Sequence, residues 1–152
     1  TSFCSGDGSG TACPCGNMGN AGHGCANGAD ATGAELAASG SGSIATADTV
    51  LSASGLVPSQ PGLYFQGNNA IADGAGVPFG DGLRCAGGGV RRLQVGFADS
   101  SGSSETSISI SGSGSVSPGD VKRYQLWYRD PNDPNGAATF NLSDGVEVTF
   151  WP

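Results

Sequence analysis

The first 25 residues constrain the fold of this chain more than any other stretch. They contain Cys4, Cys13, Cys15 and Cys25 among many glycines and almost no apolar side chains. A segment of this composition cannot form a hydrophobic core, so it needs covalent cross-links or a metal to hold a shape. Disulfides require an oxidising compartment, and the chain starts at Thr1, as a processed secreted protein would. We therefore expect a secreted protein, either extracellular or at the cell surface.

The four N-terminal cysteines are predicted to form two disulfides. Together with the single histidine they also offer ligands for zinc, but their spacing matches no standard zinc module. Cys13 and Cys15 are too close in sequence to pair with each other. Two arrangements stay open: Cys4 with Cys15 and Cys13 with Cys25, or Cys4 with Cys13 and Cys15 with Cys25. The fifth cysteine, Cys85, is left over and is predicted to be an unpaired, buried thiol.

The rest of the chain predicts a single all-β domain. Its 152 residues fit one domain, and no helical periodicity lasts more than two turns. Short stretches of alternating apolar and polar residues recur at spacings of 8–12 residues, with glycine- and proline-rich turns between them. We expect an antiparallel β-sandwich, jelly-roll-like, over residues 33–152. Residues 1–32 form a disulfide-stapled, loop-rich N-terminal segment of the same domain.

Alternation in three of these stretches predicts the core. Within residues 93–97, 124–128 and 146–150, every second residue is aliphatic or aromatic. Because side chains point alternately to the two faces of a strand, these residues should line the space between two sheets. The predicted core residues are Leu93, Val95, Phe97, Tyr124, Leu126, Tyr128, Val146, Val148 and Phe150.

Charge and composition exclude several classes of function. With six basic and thirteen acidic residues the net charge is −7, and no basic patch for nucleic acid is visible. No stretch of 18 apolar residues predicts membrane insertion.

His23 is the only histidine and lies among glycines, without a serine nucleophile motif beside it. Most of the acids adjoin glycine or proline, where aspartate usually shapes a turn. We therefore predict a protein that is not an enzyme and has no cofactor, with calcium as the one candidate ion.

Two small groups of residues are candidates for binding. Asp7, Asp130 and Asp133 offer oxygen ligands on tight loops, which makes them calcium candidates, although neither loop has the EF-hand pattern. Trp127 and Trp151 could contact a glycan, because an indole ring offers a large contact area at low entropic cost. The alternative is that both tryptophans only cover a sheet face. Asn141 begins an N-glycosylation sequon.

Five short strings occur in this order: CPCGN at 13–17, GCAN at 24–27, FGDGLRC at 79–85, QLWYRDP at 125–131 and FNLS at 140–143. Together they resemble a secreted Gly/Cys-rich β-domain of planctomycete-type bacteria. The resemblance extends over essentially the whole chain; it implies secretion and a self-contained module, and it supplies no catalytic residue. Such domains often have a cysteine where this chain has Asn135. That cysteine would be the natural partner of Cys85, so the resemblance also implies an unpaired Cys85.

The function expected from the sequence is structural. Small serine-rich strand faces, few charges and apolar chain ends suit a subunit or module of a self-assembling extracellular filament or matrix. Phe3, Phe150 and Trp151 are the predicted assembly contacts, with copies of the same chain as partners, because an added strand satisfies open sheet edges. The alternative is a carbohydrate-binding module, with or without calcium, whose partner is a polysaccharide.

Overall fold

Thirteen strands make up most of the regular structure of this chain. The computed structural model describes all residues from Thr1 to Pro152. One α-helical turn, α1 (Ile110–Ser113), and one 3₁₀ turn (Ile71–Gly74) interrupt the strands. The strands are β1 (Ser2–Phe3), β2 (Glu35–Ser39), β3 (Val50–Ser54), β4 (Pro61–Gly67), β5 (Asn69–Ala70), β6 (Val77–Phe79), β7 (Gly82–Arg84), β8 (Ala86–Gly87), β9 (Arg91–Phe97), β10 (Ser104–Glu105), β11 (Val121–Arg129), β12 (Phe140–Leu142) and β13 (Gly145–Thr149).

Two antiparallel sheets face each other across the main core. The larger has the order β1-β13-β11-β4-β9, with β12 paired to the C-terminal end of β11. The smaller has the order β10-β3-β2, and two short strand pairs, β5-β8 and β6-β7, lie outside both sheets. Tyr124 and Leu126 of β11 pack against Leu36 and Leu51 of the smaller sheet. The predicted all-β antiparallel sandwich with a disulfide-stapled N-terminal segment is confirmed, and both sheets stay open.

Seven of the nine predicted core residues contact this core, and two do not. Tyr124, Leu126, Tyr128, Val146 and Phe150 are buried in it, and Leu93 and Val148 are partly buried against it. Val95 and Phe97 are instead 61 % and 68 % exposed.

A β-bulge between β4 and β9 explains the two errors. Tyr64 is opposite Gln94 and Phe65 is opposite Arg92, so Leu93 has no partner of its own on β4. An extra residue on one strand reverses the side to which the following side chains point. Leu93 therefore packs against the core, whereas Val95 points to the outer face of the sheet.

A second difference is the helical turn α1, because the alternation of Ile108 and Ile110 with serines predicts a strand there. The Ser109 side chain accepts a hydrogen bond from the Gly112 amide at 3.2 Å, which is the bond of a helix N-cap. Ile110 is buried in the main core from this turn. The local cap therefore overrides a pattern of only two isoleucines.

The disulfides differ from both predicted arrangements. Cys13 is bonded to Cys25, as in one of them, but Cys4 is bonded to Cys85 and Cys15 is the free thiol. The prediction that Cys85 is unpaired is therefore wrong. The N-terminal segment folds back along the larger sheet through the pairing of β1 with β13, which brings Cys4 to the end of β7. The two disulfides indicate an oxidising environment.

The chain ends pack on their own domain, contrary to the predicted assembly contacts. Phe3 lies in β1 and packs against the cluster formed by Cys4, Leu83 and Cys85. Phe150 is 1 % exposed and meets Tyr124 edge-to-face at 6.5 Å between ring centroids. Both side chains are thus used inside the monomer, and of the predicted assembly contacts only Trp151, 51 % exposed, faces solvent. None of the helical segments is long enough and apolar enough to cross a membrane.

Candidate functional site: an aromatic sheet face and an aspartate cluster

The outer face of the larger sheet carries a row of apolar side chains across three strands. Leu63 of β4 is opposite Val95 of β9 on one side and opposite Trp127 of β11 on the other. Directly opposed residues on neighbouring strands point to the same face. Trp127 therefore lies on the outer face, as the alternation of β11 predicts, and the bulge adds Val95 and Phe97 to the same face. We call this surface the Trp127 face.

Three aromatic rings form one end of the Trp127 face. Trp127 is 5.7 Å from Phe79 and 5.5 Å from Phe140, measured between ring centroids, and Phe79 is 5.1 Å from Phe140. All three pairs are tilted or edge-to-face, the geometries that aromatic pairs prefer. The hairpin of β6 and β7 supplies Phe79, and β12 supplies Phe140. Trp127 is thus fixed by rings from two other elements while it stays partly exposed.

A shallow groove lies on each side of Trp127. One is lined by Leu63, Phe65, Phe79, Val90 and Trp127, together with Arg84 and Arg92. The other is lined by the first residues of β4, Val95, Trp127 and Tyr128, together with Arg129. Each groove therefore combines apolar walls with at least one guanidinium group.

The basic residues of this acidic chain are concentrated on three strands. All six lie on β7, β9 or β11: Arg84, Arg91, Arg92, Lys122, Arg123 and Arg129. Arg123 pairs with Glu147 at 2.8 Å and Lys122 with Asp120 at 3.4 Å, and the other four form no ion pair.

The outer face of the smaller sheet has the opposite charge. A depression there is lined by four serines and two alanines, with Glu35, Asp99 and Glu105 as its only charged residues. The only charged residues that line the two grooves beside Trp127 are arginines. Arg84 also lies over the Phe79 ring, 6.0 Å from its centroid.

The two tryptophans predicted as glycan contacts do not form one platform. Trp127 lies on the aromatic face, whereas Trp151 makes an isolated bridge to Ser43 and lines a separate polar depression with Gly42 and Thr149. No groove contains both indoles, so a ligand of the Trp127 face need not touch Trp151.

A cluster of three aspartates lies at the end of the sheet next to this face. Asp81 comes from the turn between β6 and β7, and Asp130 and Asp133 come from the loop that joins β11 to β12. One carboxylate oxygen from each lies within 4.8 Å of the other two. Two of the three calcium candidates, Asp130 and Asp133, are thus brought together. Asp7 is elsewhere, on its own turn with Ser9.

Burial and nearby negative charges raise the pKa values of two groups in and beside this cluster, Asp130 and Cys15. Asp130 is almost fully buried, and its pKa is raised to about 6, chiefly because burial disfavours the charged carboxylate and further because Asp133 and Asp81 repel it. The Gly28 amide donates to Asp130 at 3.0 Å and partly offsets this effect.

The Cys15 sulfur is 3.6 Å from Asp81 Oδ1, and burial, followed by the Asp81 charge, raises the pKa of this thiol. Cys15 is therefore a weak nucleophile in the folded protein.

The sequence does not indicate that Asp81 belongs to the aspartate cluster. It also does not indicate that the loop with Asn135 lies beside Cys15. Asp81 stands in a glycine-aspartate turn, FGDG, which reads as turn geometry alone, and only the fold places it against a loop about fifty residues further on. The loop that carries Asn135 lies beside Cys15, because its Ala137 and Ala138 amides donate to the same Asp81 carboxylate oxygen. It is therefore not the partner loop of Cys85.

His23 and Asn141 have structural contacts. His23 Nδ1 is 2.8 Å from the Gly33 carbonyl, and its Nε2 is 3.8 Å from Glu35. The Asn141 side chain is fully buried and donates to the Ala26 carbonyl at 3.0 Å. A glycan could not reach this amide in the folded chain.

Comparisons with protein-family models, with curated proteins and with solved structures found no match to this chain. The resemblance to a planctomycete-type secreted domain stays a prediction.

Proposed function

We propose that this chain is a non-catalytic extracellular module that binds an acidic polysaccharide on the Trp127 face. The observation that carries the proposal is the set of arginines in the two grooves. Arg84, Arg92 and Arg129 have no carboxylate partner, although the chain has more than twice as many acids as bases. Guanidinium groups that border an apolar surface suit a ligand with carboxylate or sulfate groups.

The apolar part of the face suits the rings of a sugar chain. Pyranose rings present C–H faces that pack against aromatic side chains, while their acidic groups lie at the ring edge. Trp127 stands between the two grooves, with arginines on both sides of it. A ligand that crosses the indole could therefore place successive acidic groups near Arg92 and Arg129. A β-sheet face is a rigid support for such contacts, since they are held by strand register.

Affinity measurements on matched arginine variants test this proposal. Arg92 and Arg91 are adjacent and both exposed, but only Arg92 lines a groove. We expect Arg92→Gln to weaken binding to polygalacturonate or alginate several-fold, while Arg91→Gln has little effect. Binding should also weaken as salt rises, because exposed charges are screened. Equal effects of the two substitutions, or equal affinity for a neutral glucan, would contradict the proposal.

The aromatic part is tested by the two tryptophans. Trp127→Ala should abolish binding, and Trp151→Ala should leave the affinity unchanged, because Trp151 lines neither groove. Since Trp127 packs against Phe79 and Phe140, circular dichroism must first establish that the variant is folded. Loss of binding in the Trp151 variant alone would place the ligand elsewhere. Binding of an acidic protein in place of a polysaccharide would likewise reject the proposal.

Self-assembly into an extracellular structure is the second candidate function. It would use the Trp127 face in place of the chain ends that the sequence predicts as assembly contacts. Phe97 and Val95 are 68 % and 61 % exposed, and they lie beside Leu63 and Trp127 on one sheet face. A contiguous apolar face can also bury itself against a second copy. Sedimentation velocity over a range of concentrations separates the two candidates. Association that Phe97→Ser removes would favour assembly, whereas a monomer that binds the polysaccharide would favour the first candidate.

A further inference from the structure

Three carboxylates meet in the aspartate cluster without a compensating positive charge. Asp81 and Asp130 are each 1 % exposed, and Asp133 is partly buried beside them. None of the ion pairs of this chain involves any of the three. Burying like charges together is costly unless a cation or protons neutralise them.

Two oxygens of the cluster are buried and have no hydrogen-bond partner. They are Asp81 Oδ2 and Asp133 Oδ2. The other oxygen of each carboxylate is held by the backbone: Asp81 Oδ1 accepts from the Ala137 and Ala138 amides at 3.1 Å, and Asp133 Oδ1 from the Asn135 amide at 2.9 Å. Backbone amides therefore fix both carboxylates while one oxygen of each stays free. Buried polar atoms without a protein partner are rare in folded proteins, and a bound ion can satisfy them.

We propose that Asp81, Asp130 and Asp133 bind one calcium ion. Calcium takes oxygen ligands at about 2.3–2.6 Å, so two ligands of one ion can lie up to about 5 Å apart. One carboxylate oxygen of each aspartate lies within 4.8 Å of the other two, which meets this condition. Hard oxygen donors on loops suit calcium better than zinc, which favours nitrogen and sulfur. The site does not depend on the identity of the ligand at the Trp127 face.

The ion would tie two distant segments together, and a hydrogen bond to Asp130 joins a third. Asp81 belongs to the β6–β7 turn, and Asp130 and Asp133 begin the loop that leads to Phe140. The Gly28 amide connects Asp130 to the N-terminal segment. Because β6 and β12 carry Phe79 and Phe140, calcium would also fix the two rings that hold Trp127.

Calcium titration of the chelator-treated full chain tests the site. We expect isothermal titration calorimetry to give one ion per chain, and saturating calcium to raise the melting temperature by about 5 °C or more relative to EGTA. Asp133→Asn and Asp81→Asn should each weaken calcium affinity at least ten-fold. Both substitutions keep Oδ1, the acceptor of the backbone amides. Asp48→Asn is the matched control, because Asp48 is an exposed turn aspartate that bonds only to Ser41.

The alternative is a cluster that is neutralised by protons alone. In that case calcium would give neither heat nor a shift in melting temperature, and Asp133→Asn would stabilise the chain equally in calcium and in EGTA. Stoichiometric zinc binding that Cys15→Ser abolishes would also overturn the proposal, since it would assign the site to a soft metal. Unchanged calcium affinity in both Asp81 and Asp133 variants would do the same.

Discussion

Cys4 and Cys85 are 81 residues apart in sequence and are bonded to each other, with their Cα atoms 6.0 Å apart. The bond connects the N-terminal segment to the end of β7. Closing a loop of this length removes about 4–5 kcal/mol of conformational freedom from the unfolded chain on the entropy model. The second bond, Cys13 to Cys25, closes a much shorter loop of 12 residues. The longer cross-link should therefore contribute more to stability.

Tryptic digestion without reductant tests this pairing. The first basic residue of the chain is Arg84, so trypsin should release residues 1–84 as one peptide and residues 85–91 as the next. With Cys4 bonded to Cys85, the two peptides should run as one species and separate only after reduction. Intact mass should rise by about 4 Da on reduction, as expected for two disulfides. A free peptide 85–91 before reduction would contradict the pairing.

The core is tested by two substitutions on the larger sheet. Leu126 is 1 % exposed between the sheets, so Leu126→Ala should lower the free energy of unfolding by about 2–5 kcal/mol. Val95→Ala is the control, because Val95 is 61 % exposed on the outer face and its loss should cost less than about 0.5 kcal/mol. Urea unfolding followed by circular dichroism measures both. A large cost at Val95 would mean that its face is covered in solution.

The free thiol gives a chemical test of the aspartate cluster. Burial and the Asp81 charge raise the pKa of Cys15, so iodoacetamide should modify it slowly at neutral pH and quickly after unfolding. In EGTA, where no calcium compensates the cluster, Asp81→Asn should lower this pKa and speed alkylation of the folded chain, because it removes a negative charge 3.6 Å from the sulfur. Asp48→Asn should leave the rate unchanged. Mass spectrometry after timed quenching gives the rates, and a thiol that reacts as fast as free cysteine would refute the expected burial.

Features of the fold that a single strand determines could be predicted from the sequence, whereas features that arise when two strands pair could not. Alternation in β11 correctly predicts that Tyr124 and Leu126 face the core and that Trp127 faces outward, because one strand fixes these directions. The same reasoning fails at Val95, since the bulge at Leu93 arises only when β9 pairs with β4. A bulge leaves no signal in the sequence of one strand.

The site was less predictable because its members meet only in the folded chain. The Asp81 carboxylate accepts from the Ala138 amide, 57 residues away, and glycine-aspartate turns are common without any ion. The predicted partners of Cys4 were wrong for the same reason, because Cys4 and Cys85 meet only in the folded chain. Sequence proximity favours bonds among the first 25 residues, but the cost of closing a longer loop grows only slowly with its length. Strand pairing of β1 with β13 then decides which cysteines meet.

Asp144 should make the chain less stable as pH rises. Its carboxylate is fully buried and accepts from Ser2 Oγ at 2.6 Å and from the Leu36 amide at 2.7 Å. Burial nevertheless raises its pKa to about 7, from an ordinary value of 3.8. Between about pH 4 and pH 7, Asp144 therefore keeps its proton in the folded chain but has lost it in the unfolded chain. Where the folded state binds more protons, the free energy of unfolding falls as pH increases.

Asp144→Asn isolates this effect, because asparagine resembles the protonated acid in shape. Its amide can donate to Ser2 Oγ while its oxygen still accepts from Leu36. Stability of the wild type should fall between pH 4 and pH 7, by up to about 4 kcal/mol from Asp144 alone, at about 1.4 kcal/mol per pKa unit. The variant should lack this part of the fall and equal or exceed the wild type at pH 8. Urea unfolding in EGTA at each pH measures the difference between the two, in which contributions from Asp130 cancel because both proteins contain it. A wild type that gains stability over this range relative to the variant would show that Asp144 is ionised in the fold and held by its two hydrogen bonds.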